Sequence, residues 1–203
     1  MKYLPFLIIV LGLCAYAALA VHRRLESKKD KAPIAASDRV ARVMCGGTKA
    51  VAAQKYEYEG INDCAAAARL FGGSKACKYG CIGLGSCAQA CPVGAIHIID
   101  ATAAVDTAKC RGCGKCVAVC PKDIIELVPK SARVWVGCSS RATGDENARN
   151  CNIGCDDCGE CVKACEKNAL RVQNGRVHID YALCDSCGKC AEVCARKTVW
   201  MVK

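Results

Sequence analysis

The chain has little of what catalytic and nucleotide-binding sites usually require. Only 3 of its 203 residues are histidine, and aromatic residues make up 5% of the total. His22, His97 and His178 stand far apart, and no pattern in the sequence pairs a nucleophile with a base. A dinucleotide-binding glycine loop and a P-loop are also missing. We therefore predict no catalytic residue and expect the chain to perform no substrate chemistry of its own.

The charge of the chain gives little support for nucleic-acid binding. The formal net charge is +10, and basic surfaces often bind nucleic acid. No basic run here is interleaved with aromatic residues, however, and much of the basic charge lies in residues 22–31, directly after an apolar segment. That position is typical of a membrane-orientation signal that contacts lipid headgroups. We predict no nucleic-acid partner.

Cysteine is the residue that the chain has in excess, at 21 of 203 residues. Sixteen of these cysteines form four short runs, of which three have the spacing C-x2-C-x2-C-x3-C and one has the looser spacing C-x3-C-x5-C-x3-C. The tight spacing is the ligand pattern of [4Fe–4S] clusters in bacterial two-cluster ferredoxins. We therefore predict four [4Fe–4S] clusters as cofactors, and the chemistry that such clusters support is one-electron transfer.

In that pattern the last cysteine of each run binds the neighbouring cluster rather than its own. The predicted ligand sets are Cys155, Cys158, Cys161 and Cys194; Cys165, Cys184, Cys187 and Cys190; Cys91, Cys110, Cys113 and Cys116; and Cys77, Cys81, Cys87 and Cys120. The last set requires a longer loop around its cluster. Gly80, Gly83 and Gly85 suit such a loop, because glycine lets the backbone turn tightly.

Four further cysteines are not needed for four clusters: Cys45, Cys64, Cys138 and Cys151. One interpretation is that they are buried thiols, which behave as small apolar residues. The other is that they serve as alternative iron ligands, as the equivalent positions of Cys45 and Cys138 would allow. The sequence leaves both interpretations open.

Zinc and disulfides are the alternatives to iron–sulfur clusters. Structural zinc sites usually combine two C-x2-C pairs that are separated by a longer loop, whereas here the cysteines follow one another at short intervals. Dense cysteine also marks disulfide-bonded secreted proteins. The odd total of 21 and the metal-ligand spacings favour the clusters over both.

The N-terminal segment predicts a membrane anchor. Residues 3–21 are apolar and uncharged, a length sufficient for a helix to span the hydrocarbon core. A cleaved signal peptide is the alternative, because residues 18–20 resemble a cleavage site. Basic residues 22–31 follow the segment and only Lys2 precedes it, which places the remainder in the cytoplasm. We predict a single-pass protein of the cell (inner) membrane, anchored by residues 1–21, with a cytoplasmic C-terminal domain.

After a basic linker at residues 22–40, the sequence contains two copies of one design. The first copy is residues 41–130 and the second is residues 131–203, and each contains ten cysteines. The match between them fails at two cysteines: Cys158 corresponds to Leu84, and Cys64 has no counterpart.

Within each copy, apolar strands are predicted to follow the cluster loops. These strands cover residues 95–99, 124–128, 169–172, 177–180 and 198–202. Asn174-Gly175 between two of them is a strong hairpin signal. The predicted fold class is therefore α+β: an N-terminal transmembrane helix followed by two tandem two-[4Fe–4S] ferredoxin-like modules. Because each copy has a small core, the form without clusters is expected to be largely unfolded.

A longer motif resembles a known family. Residues 55–64 read Lys-Tyr-Glu-Tyr-Glu-Gly-Ile-Asn-Asp-Cys, and residues 77–87 read Cys-Lys-Tyr-Gly-Cys-Ile-Gly-Leu-Gly-Ser-Cys. Followed by the run at residues 110–121, they resemble the B subunit of the Rnf complex, an ion-translocating ferredoxin:NAD+ oxidoreductase. The resemblance covers residues 41–203 and the N-terminal helix. It implies a protein that accepts electrons from a soluble donor such as ferredoxin and passes them to other membrane oxidoreductase subunits.

One feature of that family is missing from its usual place. Members carry a domain with a Cys-x2-Cys-x4-Cys cluster motif between the anchor and the ferredoxin-like modules, whereas here the first copy follows the linker directly. The chain is therefore expected to be a shortened member of the family or a relative that serves another membrane complex. A stand-alone polyferredoxin or a redox-sensing iron–sulfur protein is the alternative function.

Overall fold

The computed structural model describes residues 38–202. Short strands and helices follow one another in the order β1 (Arg39–Val43), α1 (Cys64–Phe71), α2 (Ser86–Gln89), β2 (Ile96–Ile99), β3 (Thr102–Val105), α3 (Lys115–Val119), β4 (Ile125–Pro129), β5 (Val134–Val136), α4 (Gly144–Asn150), α5 (Glu160–Lys163), β6 (Leu170–Gln173), β7 (Arg176–Ile179), α6 (Lys189–Glu192) and β8 (Val199–Met201). This is the α+β composition expected from the sequence.

The predicted anchor at residues 1–21 lies outside the described residues, as does most of the predicted linker. β1 begins at Arg39, so the last two residues of the predicted linker already belong to the folded part. Within residues 38–202, none of the helices has the length and apolar character needed to span a bilayer.

The two copies belong to the same unit of the structure and have the same strand topology. β1 pairs with β4 and β5 pairs with β8, so that in each copy the first strand lies antiparallel to the last. β2 pairs with β3 and β6 pairs with β7 as hairpins between the two cysteine runs. This arrangement brings both ends of each copy together and leaves the cysteine runs on the loops between strands.

The predicted hairpin at Asn174-Gly175 is confirmed. Both turn residues have positive φ, 53° at Asn174 and 70° at Gly175, which matches the twist of the flanking strands. In the first copy, Asp100 and Ala101 make the equivalent turn with φ of 46° and 56°. The five predicted strands are also found, with bounds that differ little from those expected.

The cysteine loops turn at glycines. α2, α3, α5 and α6 each begin directly after a glycine with φ between 76° and 86°, namely Gly85, Gly114, Gly159 and Gly188. A residue with a Cβ is strained in this conformation. Each glycine turns the chain back toward the preceding part of the run, so that the next cysteine, in the first turn of the helix, faces the same site.

Candidate iron–sulfur sites

The described cysteines gather into five groups of four, here numbered along the molecule. Site I contains Cys91, Cys110, Cys113 and Cys116; site II contains Cys64, Cys81, Cys87 and Cys120; site III contains Cys45, Cys77, Cys138 and Cys151; site IV contains Cys155, Cys158, Cys161 and Cys194; and site V contains Cys165, Cys184, Cys187 and Cys190. Sites I to IV each surround a cavity. Cys165, Cys184 and Cys190 of site V lie in the core of the second copy, and the exposed Cys187 lies near Cys190.

Sites I, IV and V contain three of the four ligand sets predicted from the spacing. The fourth predicted set differs from the structure at one position, because Cys64 and not Cys77 lies with Cys81, Cys87 and Cys120. Cys77 lines the cavity of site III instead. The four cysteines regarded as possible alternates are thus divided: Cys64 lies at site II, and the other three lie at site III.

Cys64 lies at site II because helix α1 is hydrogen-bonded to the cysteine loop. The backbone N–H of Cys64 donates to Ser86 Oγ, next to Cys87, at 2.8 Å. The helix is fixed at its start by Asp63, whose Oδ1 accepts from the N–H of Ala66 at 2.6 Å. At its end Gly72 has φ of 73°, which suits a glycine cap. Sequence spacing missed this thiol, because α1 lies outside the cysteine run.

Backbone N–H groups point at several of the cysteine sulfurs. Cys91, Cys165 and Cys194, the last cysteines of their runs, each accept an N–H from the residue four positions later at 3.3 Å. Cys110 Sγ accepts the N–H of Ala41 at the same distance. Such hydrogen bonds favour a thiolate, and in iron–sulfur proteins they help to set the cluster potential.

Burial disfavours ionised thiols where no metal is bound. It raises the pKa of Cys81 to about 11 and, together with the neighbouring Cys81, Cys64 and Cys120, raises the pKa of Cys87 to about 12. Burial likewise raises the pKa of Cys161 and Cys190 to about 11. Metal coordination therefore has to displace protons at these sites, and its free energy contributes to folding.

The five sites differ in their access to solvent. Sites I, IV and V each include one exposed cysteine, which is Cys113, Cys158 and Cys187 respectively. The cysteines of sites II and III are all buried or partly buried. Sites I, IV and V are therefore open to solvent at one cysteine each, whereas no cysteine of sites II and III is exposed.

The donor set fits a cluster better than a single ion. A zinc ion needs four ligands at about 2.0 to 2.3 Å from one point, and no three Cys, His, Asp or Glu side chains of the described residues converge in that way. A cubane cluster is held by thiolates on different irons, so its ligands surround a cavity. The cavities of sites I to IV enclose about 310, 340, 400 and 370 Å³ of empty space, part of it open to solvent.

Two stretches of the chain match known iron–sulfur families. Residues 86–131 match an LdpA Fe-S cluster-binding domain. Residues 154–198 match a 4Fe-4S dicluster domain. The described fold therefore consists of small α+β ferredoxin-like units of the 4Fe–4S type, as predicted.

Three curated proteins are similar over most of the chain. The B subunit of a proton-translocating ferredoxin:NAD(+) oxidoreductase complex from Clostridium ljungdahlii is 43% identical over 85% of this chain and 61% of its own length. The B subunit of the Na(+)-translocating complex from Acetobacterium woodii is 44% identical over 70% of this chain and 43% of its own length.

The B subunit of an ion-translocating oxidoreductase complex from Methanosarcina acetivorans is 39% identical over 68% of this chain and 53% of its own length. The chain thus spans between two fifths and about three fifths of these relatives.

Proposed function

This chain is a homologue of the B subunits of ion-translocating ferredoxin:NAD+ oxidoreductases, as its motifs predicted, and we propose that it serves such a complex as an electron-transfer subunit. It accepts electrons from a soluble donor such as ferredoxin. It passes them through [4Fe–4S] clusters to other membrane subunits. Residues 1–21 hold it to the cell membrane, with the folded part on the cytoplasmic side.

The observation that supports this function most directly is the continuity of the cysteine sites. Helix α2 and the residues after it carry Cys87 of site II and Cys91 of site I, and helix α5 links Cys161 of site IV with Cys165 of site V in the same way. Clusters bound there would be close neighbours, which one-electron transfer between them requires. Each copy would thus hold a pair of clusters.

The exposed cysteines suggest where electrons enter and leave. Cys113 of site I, Cys158 of site IV and Cys187 of site V are exposed. The protein's contribution is to shield the cysteines of sites II and III from water and to direct backbone N–H groups at the sulfurs. The clusters supply the redox chemistry.

The test is reduction of the anaerobically purified chain by reduced ferredoxin, followed by the loss of the cluster absorbance and by EPR. We expect rapid reduction of all clusters, and we expect Cys113→Ser or Cys187→Ser to lose one cluster and to interrupt transfer through its copy. Full transfer in either variant would refute this electron path. Cluster loss with no rapid exchange with ferredoxin would favour the redox-sensing alternative.

A further inference from the structure

Four cysteines surround one cavity where the two copies meet. Three of them belong to none of the four predicted ligand sets, and the fourth, Cys77, was predicted to lie in a different set. Cys45 and Cys77 come from the first copy, and Cys138 and Cys151 come from the second. We propose that site III binds a fifth [4Fe–4S] cluster, shared between the copies. Binding of the cluster is independent of the proposed function, whereas its role as a link between the copies rests on it.

The repeat itself relates the two halves of site III. Cys77 precedes Cys81 by four residues, as Cys151 precedes Cys155. Cys45 Sγ accepts the backbone N–H of Cys81 at 3.3 Å.

The second copy repeats this contact, because the N–H of Cys155 donates to Cys138. Each copy therefore contributes an equivalent pair of thiols. One follows the first strand of the copy, and the other lies four residues before a cysteine of site II or site IV. Such pairing by equivalent elements is unexpected for thiols that only fill space.

Site III resembles the predicted cluster sites in size and in its hydrogen bonds. With the solvent-open space at its mouth included, site III has about 400 Å³ of empty space, against about 310 to 370 Å³ for sites I, II and IV counted in the same way. Each of its four sulfurs is also the acceptor of at least one backbone N–H. These are the features of thiolates that hold a cluster.

Backbone contacts hold the two copies in register at this site. The N–H of Gly46, next to Cys45, donates to Gly137 O, next to Cys138, at 2.9 Å. On the opposite side, Asn152 N donates to Val51 O at 2.8 Å, and Ala53 N donates to Asn150 O at 2.9 Å. The segments that carry the four cysteines are therefore positioned by main-chain hydrogen bonds between the copies.

A tryptophan packs over the same junction. A Cβ at either Gly46 or Gly137 would collide with the indole of Trp200. That ring also packs edge-to-face on Trp135, with 5.7 Å between the ring centroids. Gly46 is thus required for the close approach of the first copy to this ring, and Gly137 lets the same ring lie against the residue before Cys138.

The cysteine count is consistent with this assignment. Ten cysteines in each copy cannot be divided into sets of four unless the copies share one set. With site III included, the five sites use every cysteine of the described residues. Site III lies between sites II and IV, because it is tied to Cys81 on one side and to Cys155 on the other. The order of sites is then I, II, III, IV and V.

The test is the iron and acid-labile sulfide content of the full chain, assembled anaerobically with ⁵⁷Fe and examined by Mössbauer spectroscopy. Five clusters correspond to about 20 iron and 20 sulfide per chain, and four correspond to about 16 of each. The wild-type count decides the question, even if variants at the junction fail to fold. A value near 16, or zinc at this site, would overturn the proposal.

A double variant, Cys77→Ala with Cys151→Ala, tests the same site directly. It should lose about one fifth of the iron and leave the spectra of the other clusters in place. Cys14→Ala is the matched control, since Cys14 precedes the described residues and is assigned to none of the five sets, and it should retain all the iron. Unchanged iron content in the double variant would contradict the proposal.

The outcome is separable from that of the proposed function. A count near 20 without reduction by ferredoxin would leave the fifth cluster standing and refute the donor. A count near 16 with rapid reduction would refute the fifth cluster and support ferredoxin as the donor. If both the fifth cluster and the ferredoxin donor are confirmed, the double variant should still be reduced by ferredoxin and should pass electrons between the copies more slowly than the wild type.

Discussion

The two copies complete their inner sites, II and IV, in different ways. In site IV all four cysteines come from the cysteine runs, with Cys158 on the loop before helix α5. In site II the equivalent loop position is Leu84, and Cys64 from helix α1 lies at the cavity instead. Helix α4, which lies between β5 and Cys151 in the second copy, carries no cysteine.

The backbone of the two loops nevertheless has positive φ at equivalent positions. Gly83 and Gly85 have φ of 86° and 83°, and their equivalents Asp157 and Gly159 have φ of 59° and 76°. Leu84 is packed against the group formed by Cys64, Ala67 and Ile82. We therefore expect a cluster site to be specified by its cavity and loops, with the fourth thiol supplied by whichever element reaches it.

Removal of iron and sulfide should have the largest effect on stability. The two copies should then unfold alike, although different elements complete sites II and IV. Each copy has a small apolar core that is built partly from cysteines, so cluster binding must supply much of the folding free energy. We expect the cluster-free chain to lose its cooperative unfolding transition in far-UV circular dichroism.

Hydrogen exchange by mass spectrometry would show whether the copies respond alike. Amides of β1 and β4 and of β5 and β8 should all lose protection. A first copy that keeps its protection would contradict this expectation, and it would show that helix α1 stabilises its copy without a cluster.

Exchanging the fourth thiol tests the comparison at a single site. Cys64→Ser should destroy site II and lower the iron content by about four per chain. Adding Leu84→Cys should restore the lost iron, because the loop at residue 84 has the backbone of the loop that carries Cys158. Iron and sulfide analysis with EPR is the measurement.

The matched control for this exchange lies in the second copy. Cys158→Ser should lower the iron content as Cys64→Ser does, and Leu84→Cys should not rescue it. If Cys77→Ser, and not Cys64→Ser, were to empty site II, the set predicted from the spacing would be right after all.

The sequence predicted most of the fold because the local signals are strong. Asn174-Gly175 predicted its hairpin, and the tight cysteine spacing predicted three sets that the structure brings together. These features depend mainly on residues that are close in the chain.

The assignments of Cys64 and Cys77 depend on contacts between distant segments, which spacing does not reveal. Cys64 meets site II through a helix outside the run, and Cys77 meets a cavity shared with the second copy. Two signals were nevertheless present. Ten cysteines per copy leave two without a set, and the absence of a cysteine at Leu84 is balanced by the extra Cys64.

A smaller difference between the copies concerns one buried cation. Lys75 is 3% exposed and lines site III, and its Nζ donates to Ala101 O at 2.6 Å and to Thr102 Oγ1 at 3.0 Å. No carboxylate among the described residues forms a salt bridge with it. Its equivalent in the second copy, Arg149, is exposed.

Burying an unpaired ammonium costs several kcal/mol, so negative charge nearby must compensate Lys75. Clusters with four thiolates at sites II and III would supply that charge. Lys75→Met should therefore make reduction at these sites harder. A unit charge at roughly 8 Å and an effective dielectric of about 20 contributes about 2 kcal/mol, or about 90 mV for one electron.

An EPR-monitored redox titration would measure this shift, with retained iron content as the check on folding. Arg149→Met is the matched control and should leave the potentials unchanged, because water and salt screen an exposed charge. Equal shifts in the two variants would contradict the argument from burial. A shift confined to Lys75→Met would show that this buried charge holds the clusters of sites II and III at a higher potential than the loops alone provide.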